Sequence, residues 1–421
     1  MNRAMSISYK LTYTMHMKTH ETAPVNGYSV SAFELFPRSR SWYGITFIVY
    51  HSENRLIFQK GNVMLQLFSP TTIGSLTLRN HLVMAPMTRN RATGNVPGEL
   101  MAEYYAQRAS AGLIITEGAS PSPNGLGYPR IPGIFSSEQI DGWKLVTKAV
   151  HAKGGKLFIQ LMHGGRIGHP LNLPVGARVL GPSAVAAAGE IYTDAEGMKP
   201  YVIPQAMSDE DIRSTIEEFA QAARNAIQAG FDGIELHSAN GYLLEQFIRP
   251  TSNQRKDHYG GTIENRSRFV LEVADAASKA IGKERVGIRL SPYGIFNDMP
   301  LYPAMEAEYT YIAQQLSVRG LLYIHLVDHS SMGAPEVPAS IKATFRNEFN
   351  GKLILSGGYD AARAESDLAE EKCDLIAVGR PFLANPDLVA RWKSGAALNE
   401  ADMTTFYLSG PKGYTDYPEL S

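Results

Sequence analysis

His237, Asn240 and Tyr242 fall within the six-residue stretch His237-Ser238-Ala239-Asn240-Gly241-Tyr242, directly after the apolar run 231–236. The run reads as a short strand and the stretch after it as a helix start. A histidine and an asparagine three positions apart would share one side of a helical turn. Together they offer two hydrogen-bond donors to one oxygen. The tyrosine adds a weak acid that stays protonated at neutral pH, because its ordinary pKa is about 10. Two donors and a weak acid suit a carbonyl compound that gains electrons and then a proton. The same residues also fit a plain strand-end turn, since Asn-Gly often marks one and a histidine there can be purely structural.

The surrounding pattern separates these readings. Mostly apolar runs suited to buried parallel strands occur at 81–87, 113–118, 156–163, 233–240, 286–292, 321–328, 352–358 and 375–381. Each ends at or beside a small or polar residue. Amphipathic stretches alternate with them at 98–110, 137–153, 208–229, 263–281, 303–318, 337–348, 360–370 and 386–394. The clearest, 208–229, has Asp209 and Glu210 in its first turn and Gly230 just past its end, the usual helix start and stop signals. Eight β-then-α units predict an α/β fold, a closed (β/α)8 TIM barrel; a doubly wound open sheet is the alternative. The Pro-rich insertion 164–207 comes after the third strand and is expected over the C-terminal face as a lid or pocket wall.

In such barrels the C-terminal strand ends carry the chemistry. Here those ends bring Thr88, Gly118, Gln160, His163, His237, Asn240, Arg289, Asp328, Gly357, Gly358, Gly379 and Arg380 to one face. Ser356-Gly357-Gly358 ends strand 7 and Gly379-Arg380-Pro381 ends strand 8, where barrel enzymes often bind phosphate. Glycine lets backbone N–H groups approach phosphate oxygens, and an arginine can grip them bidentately. Tight left-handed turns would explain either pair alone; both together favour a phosphate-bearing ligand.

Composition narrows the classes. Of 421 residues, 44% are hydrophobic and 19% charged, with 40 basic against 41 acidic side chains and a net charge of -1. That is an ordinary globular balance, with no nucleic-acid footprint and no polybasic membrane surface. The single cysteine, Cys373, excludes an internal disulfide and a four-cysteine iron–sulfur cluster. A reducing, cytoplasmic location is expected. No apolar run approaches the roughly 20 residues of a membrane helix. Residues 1–63 lack sustained periodicity and hold seven Lys or Arg and three Glu. They are expected to be a disordered extension or upstream sequence from a mis-assigned start, with a targeting segment as the other option; the barrel domain is expected to span 64–421.

At the level of motifs the chain resembles the old yellow enzyme family of FMN-dependent ene-reductases over about 65–420. The residues that carry the likeness are Leu67-Phe68-Ser69-Pro70, Met84-Ala85-Pro86-Met87-Thr88-Arg89, His237 through Leu244, Arg255-Lys256-Asp257-His258-Tyr259-Gly260-Gly261 with Glu264-Asn265-Arg266 just after, Val378-Gly379-Arg380-Pro381, and Gly413-Tyr414-Thr415-Asp416-Tyr417-Pro418. The resemblance implies non-covalent FMN lined by Pro86, Met87, Thr88 and Gly118. Gln160 would meet its pyrimidine edge and Arg289 the N1 and C2-carbonyl side. Gly357, Gly358, Gly379 and Arg380 would take its phosphate. It further implies reduction by NADPH or NADH in a ping-pong cycle. His237 and Asn240 would hold the oxygen of an α,β-unsaturated carbonyl or a nitro compound, hydride would pass to the β-carbon, and Tyr242 would protonate the α-carbon. Tyr128 and Met162 would face this small electrophilic alkene. A monomer or homodimer is expected, with no nucleic-acid or membrane partner and no metal.

Two departures from the family matter. Many relatives carry Trp where Met162 stands, so a roomier or reshaped pocket is expected here. Position 88 is Thr rather than the Cys of a thermophilic-type branch. Three other classes compete with this reading. A metal-dependent barrel hydrolase could draw on His163, His237, His325, Asp328 and His329, but no His-x-His or His-Glu-x-x-His pattern appears. A Schiff-base aldolase needs a strand-end lysine, which is missing. An FMN-binding sensor without catalysis is opposed by the intact His237, Asn240 and Tyr242.

Overall fold

In the computed structural model of the protein, the described residues are 66–420 and four strand segments that precede them. Those segments, Thr19–Glu21, Val30–Phe33, Thr46–Tyr50 and Leu56–Lys60, pair antiparallel in sequence order within a first unit, 1–65. The rest of that unit, with the expectation of an extension or a mis-assigned start, lies outside the described residues. The second unit begins at Gln66.

In the second unit eight parallel strands close on themselves: β1 (Leu82–Met84), β2 (Leu113–Ala119), β3 (Leu157–Leu161), β4 (Gly233–Ser238), β5 (Val286–Leu290), β6 (Tyr323–Val327), β7 (Lys352–Ser356) and β8 (Leu375–Val378). Each is succeeded by a helix: α1 (Glu99–Gln107), α2 (Ser137–Ala152), α3 (Asp209–Gln228), α4 (Ile263–Ile281), α5 (Met305–Arg319), α6 (Ala339–Glu348), α7 (Ala361–Ala369) and α8 (Leu388–Ser394). The expected (β/α)8 barrel is the observed fold. Strand β1 is shorter than its apolar run because Pro86 has no N–H to continue a ladder; the last bond is Ala85 N–H to the Val378 carbonyl, at 3.0 Å.

Alternation along the strands sorts the core into two parts. Ile234 and Leu236 on β4, Ile288 and Leu290 on β5, and Ile324 and Leu326 on β6 pack outward with the helices in the main hydrophobic cluster. Val83, Ile115, Phe158, Tyr323, Ile354 and Ala377 belong to a second cluster, joined by Ile73 and Leu78 from the hairpin Thr71–Ile73/Leu76–Leu78. Fully burying one such Phe or Ile contributes about 1.5–3 kcal/mol. One pleat further along the same strands the residues become polar: Gln160, Glu235, His237, Arg289, His325 and Ser356, all buried. The register sets Glu235 opposite Gln160, and Arg289 between His237 and His325. An apolar floor thus carries a polar layer at the C-terminal ends.

Side-chain caps start α2, α3, α4 and α7, at Ser136, Ser208, Thr262 and Asp360. At α3 the Ser208 Oγ accepts from Asp211 N–H at 3.1 Å, while the Asp211 carboxylate accepts from Ser208 N–H at 2.8 Å. This reciprocal box satisfies two donors of the first turn. A bulge in β2 between Ile115 and Gly118 restores register so that Gly118 pairs with Gln160, and such an extra residue re-aims side chains next to a site. Insertion 164–207 folds as Leu180–Gly181 paired with Gln205–Ala206 and a hairpin, Glu190–Thr193/Gly197–Pro200. Its Ile167, Leu173, Ala187 and Tyr201 pack in one cluster with Met162 and Tyr242, so it walls the site as expected.

Candidate active site

The turn after β4 shapes the site. His237 and Ser238 still belong to the strand, and Asn240 and Gly241 adopt φ of 60° and 78°. Asparagine and glycine are the residues that tolerate this left-handed region best. The short helix Leu243–Ile248 starts only after Tyr242. The expected single helical turn from His237 to Asn240 is therefore replaced by a left-handed turn. Three hydrogen bonds hold it: Asn240 N–H donates to Ser291 Oγ at 2.9 Å, Gly241 N–H to the Glu245 carboxylate at 2.7 Å, and Asn297 Nδ2 to the Asn240 carbonyl at 2.7 Å. Glu245 in turn accepts from Arg249, Ser291 and Tyr309.

His237 is buried, and its Nδ1 has no hydrogen-bond partner among the described residues. Burial, helped by the nearby Arg289 charge, holds its pKa well below the usual imidazole value. The ring is therefore neutral at neutral pH. Arg289 is also buried with an unpartnered Nε, and burial lowers its pKa against the opposing pull of Glu235. Buried polar atoms normally find a partner, so these two mark a place where a bound group could complete the polar layer. The Tyr242 ring lies edge-on to His237, with centroids 4.9 Å apart. Its hydroxyl is 3.2 Å from that of Tyr128. Burial pushes the Tyr242 phenol up to about 12, so it keeps its proton at neutral pH.

Below this pair sits a carboxylate that the strand pattern hid. Glu235 is fully buried and accepts from Gln160 Nε2 at 2.8 Å, His325 Nδ1 at 2.9 Å and Tyr323 OH at 3.2 Å. His325 Nε2 lies 3.0 Å from Ser356 Oγ. The signal was a charged residue inside an otherwise apolar strand, at the same parity as His237.

The other expected residues lie at the same strand ends. Pro86 is buried, while Met87 and Thr88 are half-buried. A Cβ on Gly379 would lie 3.4 Å from Met87 Sδ, so the ends of β1 and β8 adjoin. Gly118 leaves room for Met162: a Cβ there would sit 2.7 Å from the Met162 Sδ. That direction faces the methionine, which is a reason for glycine the motif did not reveal. Gly357 and Gly358 have φ of 140° and 63°, and a Cβ on Gly357 would overlap the Asp328 carbonyl oxygen. Gly379 precedes the short helix Arg380–Ala384, and Arg380 is exposed. The cradle, the orphaned Arg289 and the Gln160 amide fit a flavin phosphate at one end and a pyrimidine edge at the other.

Of the histidines that could serve as metal ligands, His163 is buried, pushed down to about 3 by burial, and accepts from Gly165 N–H at 3.1 Å. Among the described residues no three His, Cys, Asp or Glu gather as a metal would need. Cys373 is buried, with its thiol pushed up to about 12 by burial. No helix among the described residues is long and apolar enough to cross a membrane. The tail closes against the barrel: Tyr414 stacks on Tyr104 at 4.0 Å, and Arg89 donates to the Gly413 carbonyl at 2.6 Å.

Comparison with known proteins places the chain among flavin-dependent reductases. A family model described as NADH:flavin oxidoreductase / NADH oxidase family matches residues 66–399. A probable flavin mononucleotide-dependent alkene reductase from Leishmania infantum is 43% identical over 84% of this chain and 97% of its own length. The 12-oxophytodienoate reductase 1 of Oryza sativa subsp. japonica is 43% identical over 84% of this chain and 93% of its own. The structure of morphinone reductase in complex with tetrahydroNAD superimposes with a TM-score of 0.80 at 45% identity, covering 84% of this chain and 98% of that one.

Proposed function

The chain belongs to the NADH:flavin oxidoreductase / NADH oxidase family, and from this premise we propose that it reduces the C=C bond of α,β-unsaturated carbonyl compounds. The observation that carries the reading is the neutral, buried His237 with an unpartnered Nδ1, flanked by Tyr242 and by the Arg289 charge. Pro86, Met87, Thr88, Gly118, Gln160, Arg289, Gly357, Gly358, Gly379 and Arg380 would hold FMN, which when bound would supply hydride drawn from NADPH or NADH. The tetrahydroNAD complex of morphinone reductase supports a nicotinamide reductant.

His237 and Asn240 donate to the substrate carbonyl oxygen. As hydride adds to the β-carbon, negative charge moves onto that oxygen, and fixed donors in a dry site stabilise it. Tyr242 then gives its phenolic proton to the α-carbon. A phenol held up to about 12 keeps this proton available across the physiological range. Arg289 and Gln160 would hold the cofactor's pyrimidine edge, where the guanidinium would favour negative charge. Tyr128 and Met162, packed with Tyr242, bound the substrate side. Reduction of 2-cyclohexenone in D2O with unlabelled NADPH tests the sequence of events. Deuterium at the α-carbon is expected; product formed without deuterium there would overturn the reading.

A further inference from the structure

The His237–Asn240 pair works as two donors only if the Asn240 amide turns Nδ2, not Oδ1, towards the substrate oxygen. An amide carries one end of each kind. The bonds from Asn240 N–H to Ser291 and from Asn297 to the Asn240 carbonyl fix the backbone, but they do not choose the side chain's direction. A third contact does: His329 Nε2 lies 2.7 Å from Asn240 Oδ1. His329 stands in the loop after β6, its ring held against Phe296 with centroids 4.9 Å apart. Burial, with the Arg289 charge next, pushes this imidazole down to about 4. The ring is therefore neutral at working pH and carries a single N–H.

We propose that His329 is a positioning residue whose Nε2–H pins Asn240 Oδ1 and so aims Nδ2 at the substrate oxygen beside His237. With the amide turned over and Nε2 accepting, Oδ1 would face that oxygen and repel it. The inference rests on the reading of Asn240 as a substrate donor.

The test compares the FMN-loaded wild type with Asn240→Ala, His329→Leu and His329→Gln. Cyclohexanone, a carbonyl that is not reduced at carbon–carbon, is titrated into each oxidised protein and monitored by the flavin spectrum. FMN content and melting temperature report the fold. Asn240→Ala should weaken cyclohexanone binding by about 5–10-fold, the worth of one hydrogen bond. His329→Leu should lose a similar factor, because the amide is then free to turn. His329→Gln keeps an N–H donor and should recover binding to within about 2-fold, a rescue that a purely packing role would not give. If Asn240→Ala weakens binding but His329→Leu does not, or if the glutamine fails to rescue, the positioning role is overturned and the site reading stands. If Asn240→Ala binds as wild type, the donor reading falls and this inference with it. Should His329→Leu lose FMN, His329→Ala serves as the donor-free variant.

Discussion

Glu235→Gln probes the layer on which the site rests. Glu235 is fully buried and receives three donors: Gln160 Nε2 at 2.8 Å, His325 Nδ1 at 2.9 Å and Tyr323 OH at 3.2 Å. Hydrogen bonds to a charged acceptor contribute about 1.5–3 kcal/mol each, against about 1 for neutral ones. The glutamine keeps the shape and removes the charge. Its NH2 can turn to His325 if that ring moves its proton to Nε2, where Ser356 Oγ waits at 3.0 Å. The bonds then persist in neutral form, with the Tyr323 oxygen turned from donor to acceptor because it shares one Glu235 oxygen with His325, and the loss is chiefly the charge assistance, about 2–4 kcal/mol in all. For a domain of this size that lowers the melting temperature by about 3–5 °C. Gln160 loses its fixed anchor too, so FMN affinity should fall by about 10-fold. Calorimetry and an FMN fluorescence titration read the two effects. A melting temperature within about 1 °C of wild type, with FMN affinity unchanged, would refute the reasoning that this carboxylate anchors Gln160.

The same geometry sets other outcomes. Tyr242→Phe should slow reoxidation of the reduced protein by 2-cyclohexenone by about 10²–10⁴-fold while FMN content holds; full-rate enone reduction would show that the proton comes from elsewhere. The wild-type rate of that step should stay level between neutral pH and about 9 and decline only as pH nears 12, where the phenol ionises. Glu117 is pushed up to about 7 by burial, against the pull of Arg89. A raised carboxyl pKa means the folded chain holds the proton more tightly than the unfolded one. Its share of stability is therefore full below about 4.5 and is lost as pH rises through 7, about 3 kcal/mol in total. In urea denaturation, the drop in stability from pH 5 to pH 8 should be smaller by that amount in Glu117→Gln; an equal drop in both proteins contradicts this. Met162→Trp puts a larger, stiffer ring where the methionine now rests against Gly118, so product stereochemistry and substrate range should shift; unchanged values on chiral chromatography would place Met162 outside the pocket.

The barrel was legible because its strands are continuous apolar runs and its helices carry local signals. Ser208 and Gly230 bound α3 within the sequence itself, and proline density marks 164–207 as an insertion. The site was legible only as a set of strand ends. What binds those ends together is long-range. Glu235 meets Gln160, His325 and Tyr323 across neighbouring strands, and no local periodicity announces which residue of an apolar run points inward. His325 and His329 read as possible metal ligands when they are in fact bonded to Glu235 and Asn240. The left-handed turn at Asn240 escaped because a three-residue spacing looks the same on a helix and on a turn. The short helices Leu243–Ile248 and Arg380–Ala384 are too brief to show an amphipathic period. The role of Gly118 depends on Met162, a neighbour 44 positions away.

The most direct test of the central claim is the visible absorbance spectrum of the purified protein, before and after anaerobic NADPH and again after 2-cyclohexenone. The site predicts flavin bands that bleach with the nicotinamide and return with the enone. A colourless protein that cannot be reconstituted with FMN would contradict the account, as would bleached flavin bands that the enone fails to restore.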